Sequence, residues 1–237
     1  SGMATDSAAS PATVAVATRL VAQRGTTVEV EASVPAAWLA GGRTFPVRID
    51  PTFSTSTSTG GVDTFVASNS STAQGNAVSL FVGAQSSAPT VKRRTFMKFD
   101  LSSITGTNWQ ALSASLDVYN ANSATCTAKG MEVRNLTAAF NASTIWSNQP
   151  AMGSTVVTSS FSKGFNASCP GGHQIIDVTP IVQPWVANTA TNNGFGLKAV
   201  DETDGTADKT IYSAESWVPP VLTVTYNRPP TANATQA

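Results

Sequence analysis

The chain has 237 residues, of which 41% are hydrophobic and 12% charged, and its 14 basic and 14 acidic residues give a formal net charge of zero. A hydrophobic fraction of this size supports a buried core, which argues against wholesale disorder. Balanced charge supplies no field that would hold a polyphosphate backbone, and no stretch approaches the roughly 18 apolar residues of a membrane span, so both nucleic acid binding and a membrane span are disfavoured.

The single histidine and the two cysteines narrow the chemistry further. His173, Cys126 and Cys169 are too few for a zinc site built from histidine and cysteine, and a histidine-dependent triad has one candidate base. Both cysteines lie in loop contexts rich in small and polar residues, which predicts one Cys126–Cys169 disulfide in an oxidising compartment. By chain entropy such a bridge contributes about 4 kcal/mol. Two buried reduced cysteines are the alternative.

Residues 1–58 are predicted to form an N-terminal β segment and a connector. The first three residues read like a cloning scar before an internal fragment. Two β-like runs follow, Val28–Val34 and Thr44–Ile49. Thr52–Gly61 is nearly pure Ser, Thr and Gly without periodicity, which is typical of a low-complexity connector, so we place a domain boundary after residue 58.

Residues 59–227 alternate apolar and polar side chains in short runs that end at Gly, Asn, Ser or Pro. One such run predicts a strand whose core face carries Leu112, Ala114, Leu116 and Val118. About ten strands of this kind predict an all-β fold, namely a two-sheet antiparallel β-sandwich. Further runs are Thr64–Val66, Val78–Val82, Phe96–Leu101, Met131–Leu136, Val156–Phe161, Gln174–Val178, Phe195–Val200, Thr210–Ser213 and Leu222–Tyr226.

One short helix is predicted after residue 178. Thr179 can cap it, Pro180 suits the first helical position, and the apolar residues that follow, Trp185 among them, line one face. Residues 228–237 are rich in Pro, Thr and Asn, which predicts an extended C-terminal linker to a neighbouring domain of the same polypeptide.

A series of motifs between Asp63 and Tyr226 resembles the DNRLRE domain, a β-sandwich module of secreted and cell-surface proteins in bacteria and archaea. The motifs are Asp63-Thr64-Phe65-Val66, Leu80-Phe81-Val82-Gly83, the run from Arg94 to Ile104, Thr144 to Pro150, Asp177 to Trp185, Asn193 to Lys198, Tyr212 to Glu215, and Pro220 to Tyr226. The segment with Trp38-Leu39 and residues 43–52 is similar to one that precedes this domain in large actinobacterial secreted proteins, including Rhs-type ones.

The resemblance implies a jelly-roll-like sandwich outside the cell, at the cell surface or in the cell wall. A similar set of domains is classed among carbohydrate-binding modules that recognise alginate-type polyuronic acids. Many members have no known ligand. For this chain, the similarity to the alginate-type modules implies a polysaccharide partner of the uronic-acid type.

Sugar recognition by a sandwich needs an exposed aromatic platform, and uronic acids also need Arg or Lys for the carboxylate. Trp217, in a loop without apolar periodicity, and Tyr119, on the polar face of its strand, are the platform candidates. Arg93, Arg94 and Lys98 are the candidate cations. The alternatives are structural roles for the two rings and a solvated strand edge for the cations. Trp146 and Trp185 occur in motifs that indicate packing, so both are expected in the core.

The segment Asp201–Asp208 gathers four carboxylates around a glycine, and oxygen ligands at short range can hold calcium. Asp201, Asp204 and Asp208 are the candidate ligands, although their spacing is not that of an EF-hand loop. A solvated hairpin tip is the alternative, and no other cofactor is indicated.

Three functions remain open at this point. The first is a secreted, non-catalytic module that binds an acidic polysaccharide or cell-surface glycan. The second is a structural spacer or display domain of a large multidomain protein. The third is a polysaccharide-degrading enzyme with paired carboxylates, for which no pair stands out in the sequence.

Overall fold

The computed structural model describes residues 2–6, 8–10, 12–24, 27–44, 47–50 and 52–227. The described part up to Asp50 forms a small antiparallel sheet whose strand order is β3-β2-β1-β4. Its elements are β1 (Gly2–Thr5), β2 (Thr13–Arg24), β3 (Thr27–Ser33), a five-residue helix α1 (Ala36–Ala40) and β4 (Arg48–Asp50). The sequence patterns did not predict β1, β2 or α1. The structure therefore has a second, shorter helix besides the one expected near residue 180.

Residues 52–227 form an all-β sandwich, which confirms the predicted fold class. Its elements are β5 (Thr52–Ser56), β6 (Val62–Ala67), β7 (Ser79–Gln85), β8 (Ala88–Lys98), β9 (Gln110–Ser123), β10 (Lys129–Leu136), β11 (Met152–Phe161), β12 (Gly172–Asp177), α2 (Thr179–Val186), β13 (Phe195–Ala199), β14 (Lys209–Tyr212) and β15 (Val221–Asn227). Single 3-10 turns lie at 102–104, 146–148 and 205–207. In the described residues no helix is long and apolar enough to cross a membrane.

The sandwich is one antiparallel sheet that curls into two layers. The first layer has the order β6-β8-β13-β10-β11. In the second layer β9 pairs with β15 and β12, β15 pairs with the edge strand β5, and β14 pairs with the end of β9. Strand β7 joins the layers, because Ser79–Val82 pair with β14 whereas Gly83–Gln85 pair with β8.

The main core lies between the two layers. Met97 of β8, Phe99 just after β8, and Leu116 and Val118 of β9 are at most 1% exposed, as the period of two predicted. Helix α2 closes one end of this core with its buried apolar face, on which Trp185 packs as expected.

The prediction that Leu112 lies on the core face of β9 is wrong. Leu112 is 37% exposed, and Ala111 is buried in its place. The register between β9 and β15 shifts between Thr225 and Tyr226. Such an irregularity inserts one residue into the alternation, so the residues beyond it point to the opposite faces of the sheet.

The segment predicted as a low-complexity connector contains a strand of the sandwich. Residues 52–56 are β5, whose Ser54 hydroxyl lies 3.1 Å from that of Thr223 on β15. Hydroxyl-rich residues suit an exposed edge strand, although they lack the apolar alternation by which strands are recognised. The proposed boundary after residue 58 therefore falls inside the folded unit. The predicted linker, 228–237, lies outside the described residues.

The predicted disulfide is present between Cys126 and Cys169, with sulfur atoms 2.02 Å apart. It joins the loop between β9 and β10 to the loop between β11 and β12 and closes 43 residues of chain. Loop closure of this length restricts the unfolded chain, which stabilises the fold by about 4 kcal/mol.

Candidate functional site

Three aromatic side chains meet on the outer face of the second layer. The rings of Tyr119 and Tyr212 are stacked, with centroids 5.1 Å apart and planes 7° apart. The ring of Trp217 lies 6.2 Å from that of Tyr119 and 5.9 Å from that of Tyr212. Trp217 is 78% exposed, the most open of the large apolar side chains in the described residues. We call Tyr119, Tyr212 and Trp217 the aromatic surface.

Strand pairing brings the two tyrosines together. Alternation along β9 buries Val118 and turns Tyr119 outward, and alternation along β14 buries Ile211 and turns Tyr212 outward. The pair Ile211–Asn120 then sets β14 beside β9, so the two outward rings become neighbours.

A buried carboxylate holds the loop that carries Trp217. The Ala214 amide donates a hydrogen bond to Asp63 Oδ2 at 2.8 Å, and Asp63 is 3% exposed. Within the loop, the Ser216 amide and hydroxyl both donate to the Ser213 carbonyl. Burial raises the pKa of Asp63 to about 6, and the nearby charge of Glu215 adds to the increase. Asp63 lies beneath the loop, so its role is to anchor the loop and not to contact a ligand.

Polar groups lie at the rim of the aromatic surface. His173 on β12 is paired in register with Tyr119, and its ring meets the tyrosine edge-on at a centroid distance of 5.2 Å. Its Nδ1 lies 3.0 Å from both carboxylate oxygens of Asp117. The Lys163 ammonium donates to the His173 carbonyl. The surface thus combines apolar ring faces with an imidazole, a carboxylate and an ammonium.

The structure brings together only two of the five predicted ligand residues. Trp217 and Tyr119 share the aromatic surface, whereas Arg94 and Lys98 lie on the outer face of the first layer, because their neighbours Thr95 and Met97 point inward. Arg93 lies where the two layers meet, over the ring of Phe81. The five candidate residues therefore do not share one groove.

Both predicted arginines are bound within the protein. Arg93 forms an ion pair with Asp208. The Arg94 guanidinium donates to both oxygens of Glu202 at 2.7 and 2.8 Å and lies 4.8 Å above the ring of Trp146. That ring is half-buried and packs on a small apolar cluster at the outer side of the first layer. Trp146 therefore has a packing role, as expected, but it lies outside the main core. The two arginines therefore stabilise the sandwich where they lie.

The structure also adds two residues that sequence reasoning missed, Tyr212 and His173. Tyr212 lies at an outward position of the predicted strand Thr210–Ser213, so the period of two was the signal that could have found it. His173 is the second residue of β12. Its place beside Tyr119 depends on the register of β12 against β9, which no local pattern encodes.

The three predicted calcium ligands have other partners. Asp201 and Asp204 each accept the amide and hydroxyl of a threonine two residues on, and Asp204 also pairs with Lys129 at 2.8 Å. These bonds lower the pKa of both carboxyls, that of Asp204 to about 2, with Lys129 as its largest cause. Asp208 pairs with Arg93. Across the described part of the chain no three His, Cys, Asp or Glu side chains are arranged to hold a metal ion.

A disulfide-bonded β-sandwich with clustered aromatic rings on an open sheet face has the architecture of a glycan-binding module, because such rings offer flat apolar faces with polar groups beside them. The chain belongs to carbohydrate-binding module family 96, whose family model matches residues 54–226. The match begins within β5 and ends within β15. A comparison with curated proteins gives no match.

Family membership supports a polysaccharide partner, and modules of such families generally bind glycans without cleaving them. The disulfide together with this family fits an extracellular location, since disulfides persist in oxidising compartments.

Proposed function

We propose that this chain is a non-catalytic, secreted module that holds polysaccharide on the aromatic surface of Tyr119, Tyr212 and Trp217. The observation that carries the proposal is the exposure of Trp217, which is 78% accessible although it lies against two other rings. When a sugar ring stacks on the exposed indole, the apolar face of the indole is removed from water. This burial of apolar surface favours binding over a purely structural role for these residues.

The aromatic surface also supports a preference for acidic polysaccharides of the uronic-acid type. Lys163 and His173 lie at its rim and provide an ammonium and an imidazole for a sugar carboxylate. Asp117 accepts a hydrogen bond from His173 when Nδ1 is protonated, which fixes the orientation of the imidazole beside the rings. Neutral polysaccharides lack the carboxylate, so we expect them to bind less tightly.

The same proposal covers the setting of the module. We place it at the bacterial cell surface or in the cell wall, within a larger polypeptide. Calcium binding by Asp201, Asp204 and Asp208 stays a prediction, because each carboxylate already has a partner that a metal ion would have to replace. A binding assay with and without calcium addresses it.

The test is calorimetric titration of the chain with alginate, polygalacturonate and a neutral glucan, with and without calcium. We expect saturable binding to the acidic polymers and a loss of affinity of about tenfold or more in Trp217→Ala, because a stacked ring contributes on the order of 1.4 kcal/mol. Tyr212→Ala should have an effect in the same direction.

Val156→Ala is the matched control, since Val156 is 43% exposed on the first layer, whereas the aromatic surface lies on the second. It should bind like the unchanged chain. Equal binding by Trp217→Ala and the control would place the ligand elsewhere. Absence of binding to every polymer would contradict the proposal and favour the spacer or display role.

A further inference from the structure

A cavity of about 590 Å³ opens on the sandwich, and none of its lining residues belongs to the aromatic surface. It lies where β8 ends beside the start of β6, and the loop that leads into β13 forms another wall. Gly60, Lys98, Asp100, Phe140 and Asn192 are among its lining residues. The volume falls within the range of about 300–1,000 Å³ that small-molecule sites occupy.

Lys98 supplies the positive charge of this cavity, and its ammonium forms no direct ion pair. Five other cations of the sandwich each lie against a carboxylate: Arg93, Arg94, Lys129, Arg134 and Lys198. For Lys98, no carboxylate of the described residues lies within 4.0 Å of the ammonium. Asp100, which also lines the cavity, interacts with Lys98 only at longer range, where the Lys98 charge helps to lower the Asp100 pKa. A half-buried cation that faces a cavity and forms no direct ion pair can bind an anion of a ligand.

The other walls supply two further kinds of contact. Phe140 gives an aromatic face, which packing against Phe96 at a centroid distance of 5.7 Å holds in place. The Asp100 carboxylate accepts the Ser102 amide at 2.9 Å, and hydrogen bonds from Ser102 lower its pKa, so it stays ionised and can accept hydroxyl groups. The Asn192 amide donates to the Phe99 carbonyl and fixes the remaining wall.

A cation, a hydroxyl acceptor and an aromatic face together match a carboxylate-bearing sugar. The carboxylate pairs with Lys98, the ring hydroxyls donate to Asp100, and the apolar face of the ring lies on Phe140. Gly60 adopts a φ of +78° at the rim, so the chain turns there without placing a side chain over the opening.

We propose that this cavity is a second, independent ligand site, which takes one carboxylate-bearing sugar unit. The proposal rests on the carbohydrate-binding function but not on the aromatic surface. The two sites lie on opposite layers, because Lys98 points outward from the first layer and Tyr119 outward from the second. One module can then hold two glycan chains at once, which makes it a cross-linker of acidic polysaccharide.

The experiment follows amide chemical shifts in NMR spectra during titration with glucuronic acid, with glucose and sodium acetate as comparison ligands. We expect glucuronic acid to shift the signals of residues around Lys98 and Asn192 in both the unchanged chain and Trp217→Ala. Lys98→Met should weaken this binding at least tenfold, while Lys98→Arg, which keeps the charge, should retain part of it.

Lys92→Met is the matched control, because Lys92 likewise has no carboxylate partner within the described residues but does not line the cavity. It should leave binding unchanged. Equal binding by Lys98→Met and the control would overturn the proposal, as would acetate or glucose binding as tightly as glucuronic acid. Loss of the signal in Trp217→Ala would show one site instead of two. Failure of polymer binding in Trp217→Ala alone concerns only the aromatic surface.

Discussion

Asp63 is the residue on which the aromatic surface depends most directly. Its carboxylate is 3% exposed and accepts the amide of Ala214, which starts the loop that carries Trp217. A carboxylate in this position costs desolvation energy when it is ionised, which is why burial raises its pKa to about 6. The loop is therefore held by a group that is itself destabilising at neutral pH.

A stability change with pH follows from this shift. The pKa of Asp63 is higher in the folded than in the unfolded chain, where it is near 3.8, so the folded state binds more protons between these values. We expect this group to add about 1 kcal/mol of stability as the pH falls from 7 to 5. Asp63→Asn should raise the Tm at pH 7 and remove this part of the gain. Thermal unfolding at pH 5, 6 and 7 measures both effects.

Asp177→Asn is the contrasting control. Hydrogen bonds from Thr179 lower the pKa of the Asp177 carboxyl, so its ionised form stabilises the fold. The substitution should lower the Tm at pH 7. A lower Tm for Asp63→Asn as well would show that the Asp63 charge stabilises the loop, contrary to our reasoning.

At the residue scale, exposure was easier to predict than pairing. The lack of apolar periodicity around Trp217 correctly indicated an open indole. Arg94 and Lys98 had the same outward direction in the sequence pattern, yet Arg94 is bound by Glu202 and Lys98 is not. Glu202 lies 108 residues from Arg94 along the chain, so no local pattern connects the two.

Among the elements, β7 is the strand that makes one sheet into two layers. It changes partners at Gly83, whose φ is +103° and whose added Cβ would lie 2.7 Å from the Ala207 carbonyl oxygen. Any other residue would be strained in this backbone conformation and would also clash. The glycine therefore permits both the bend and the close approach of the 3-10 turn at 205–207.

Gly83→Ala should lower the free energy of unfolding by about 2 kcal/mol or more, because backbone strain and the clash add together. Gly172→Ala is the control, since an added Cβ there meets nothing closer than the Lys163 side chain at 3.7 Å. We expect a change of about 0.5 kcal/mol or less for the control. Urea denaturation of both variants gives the comparison, and equal stabilities would mean that β7 bends without need of a glycine.

Alternation predicted the elements well where strands bury one face, as in β8, β9 and β15. Alternation failed as a guide in β5 and in the first part of β9. In β5 only Phe53 is apolar and the other four residues are Ser or Thr, so the sequence shows no apolar alternation. In β9 a shift in register against β15 reverses the faces near Leu112, and this depends on the partner strand and not on β9 alone.

For the whole molecule, the position of β5 sets the N-terminal limit of the sandwich. It covers the edge of β15, which would otherwise present unpaired amides and carbonyls. We expect residues 52–237 to fold with the thermal stability of the full chain to within a few degrees. Residues 59–237, which start at the boundary predicted from the sequence, should unfold at lower temperature and aggregate.

Thermal unfolding and light scattering of the two truncated chains test this limit. Equal behaviour of both would show that β5 contributes little and would restore the predicted boundary. Loss of structure in both would show that residues 1–51, with the sheet β3-β2-β1-β4, are needed for the sandwich to fold.

The fold class, the Cys126–Cys169 disulfide and the outward direction of Tyr119 and Trp217 could be predicted from the sequence alone. These properties follow from local patterns: alternation, loop composition and the number of cysteines. Which outward residues become neighbours depends on how the strands and layers pack. This packing places Tyr212 and His173 beside Tyr119, binds Arg93 and Arg94 to distant carboxylates, and leaves Lys98 facing a cavity. Strand register and long-range ion pairs fix these arrangements, and both depend on chain segments far apart in sequence.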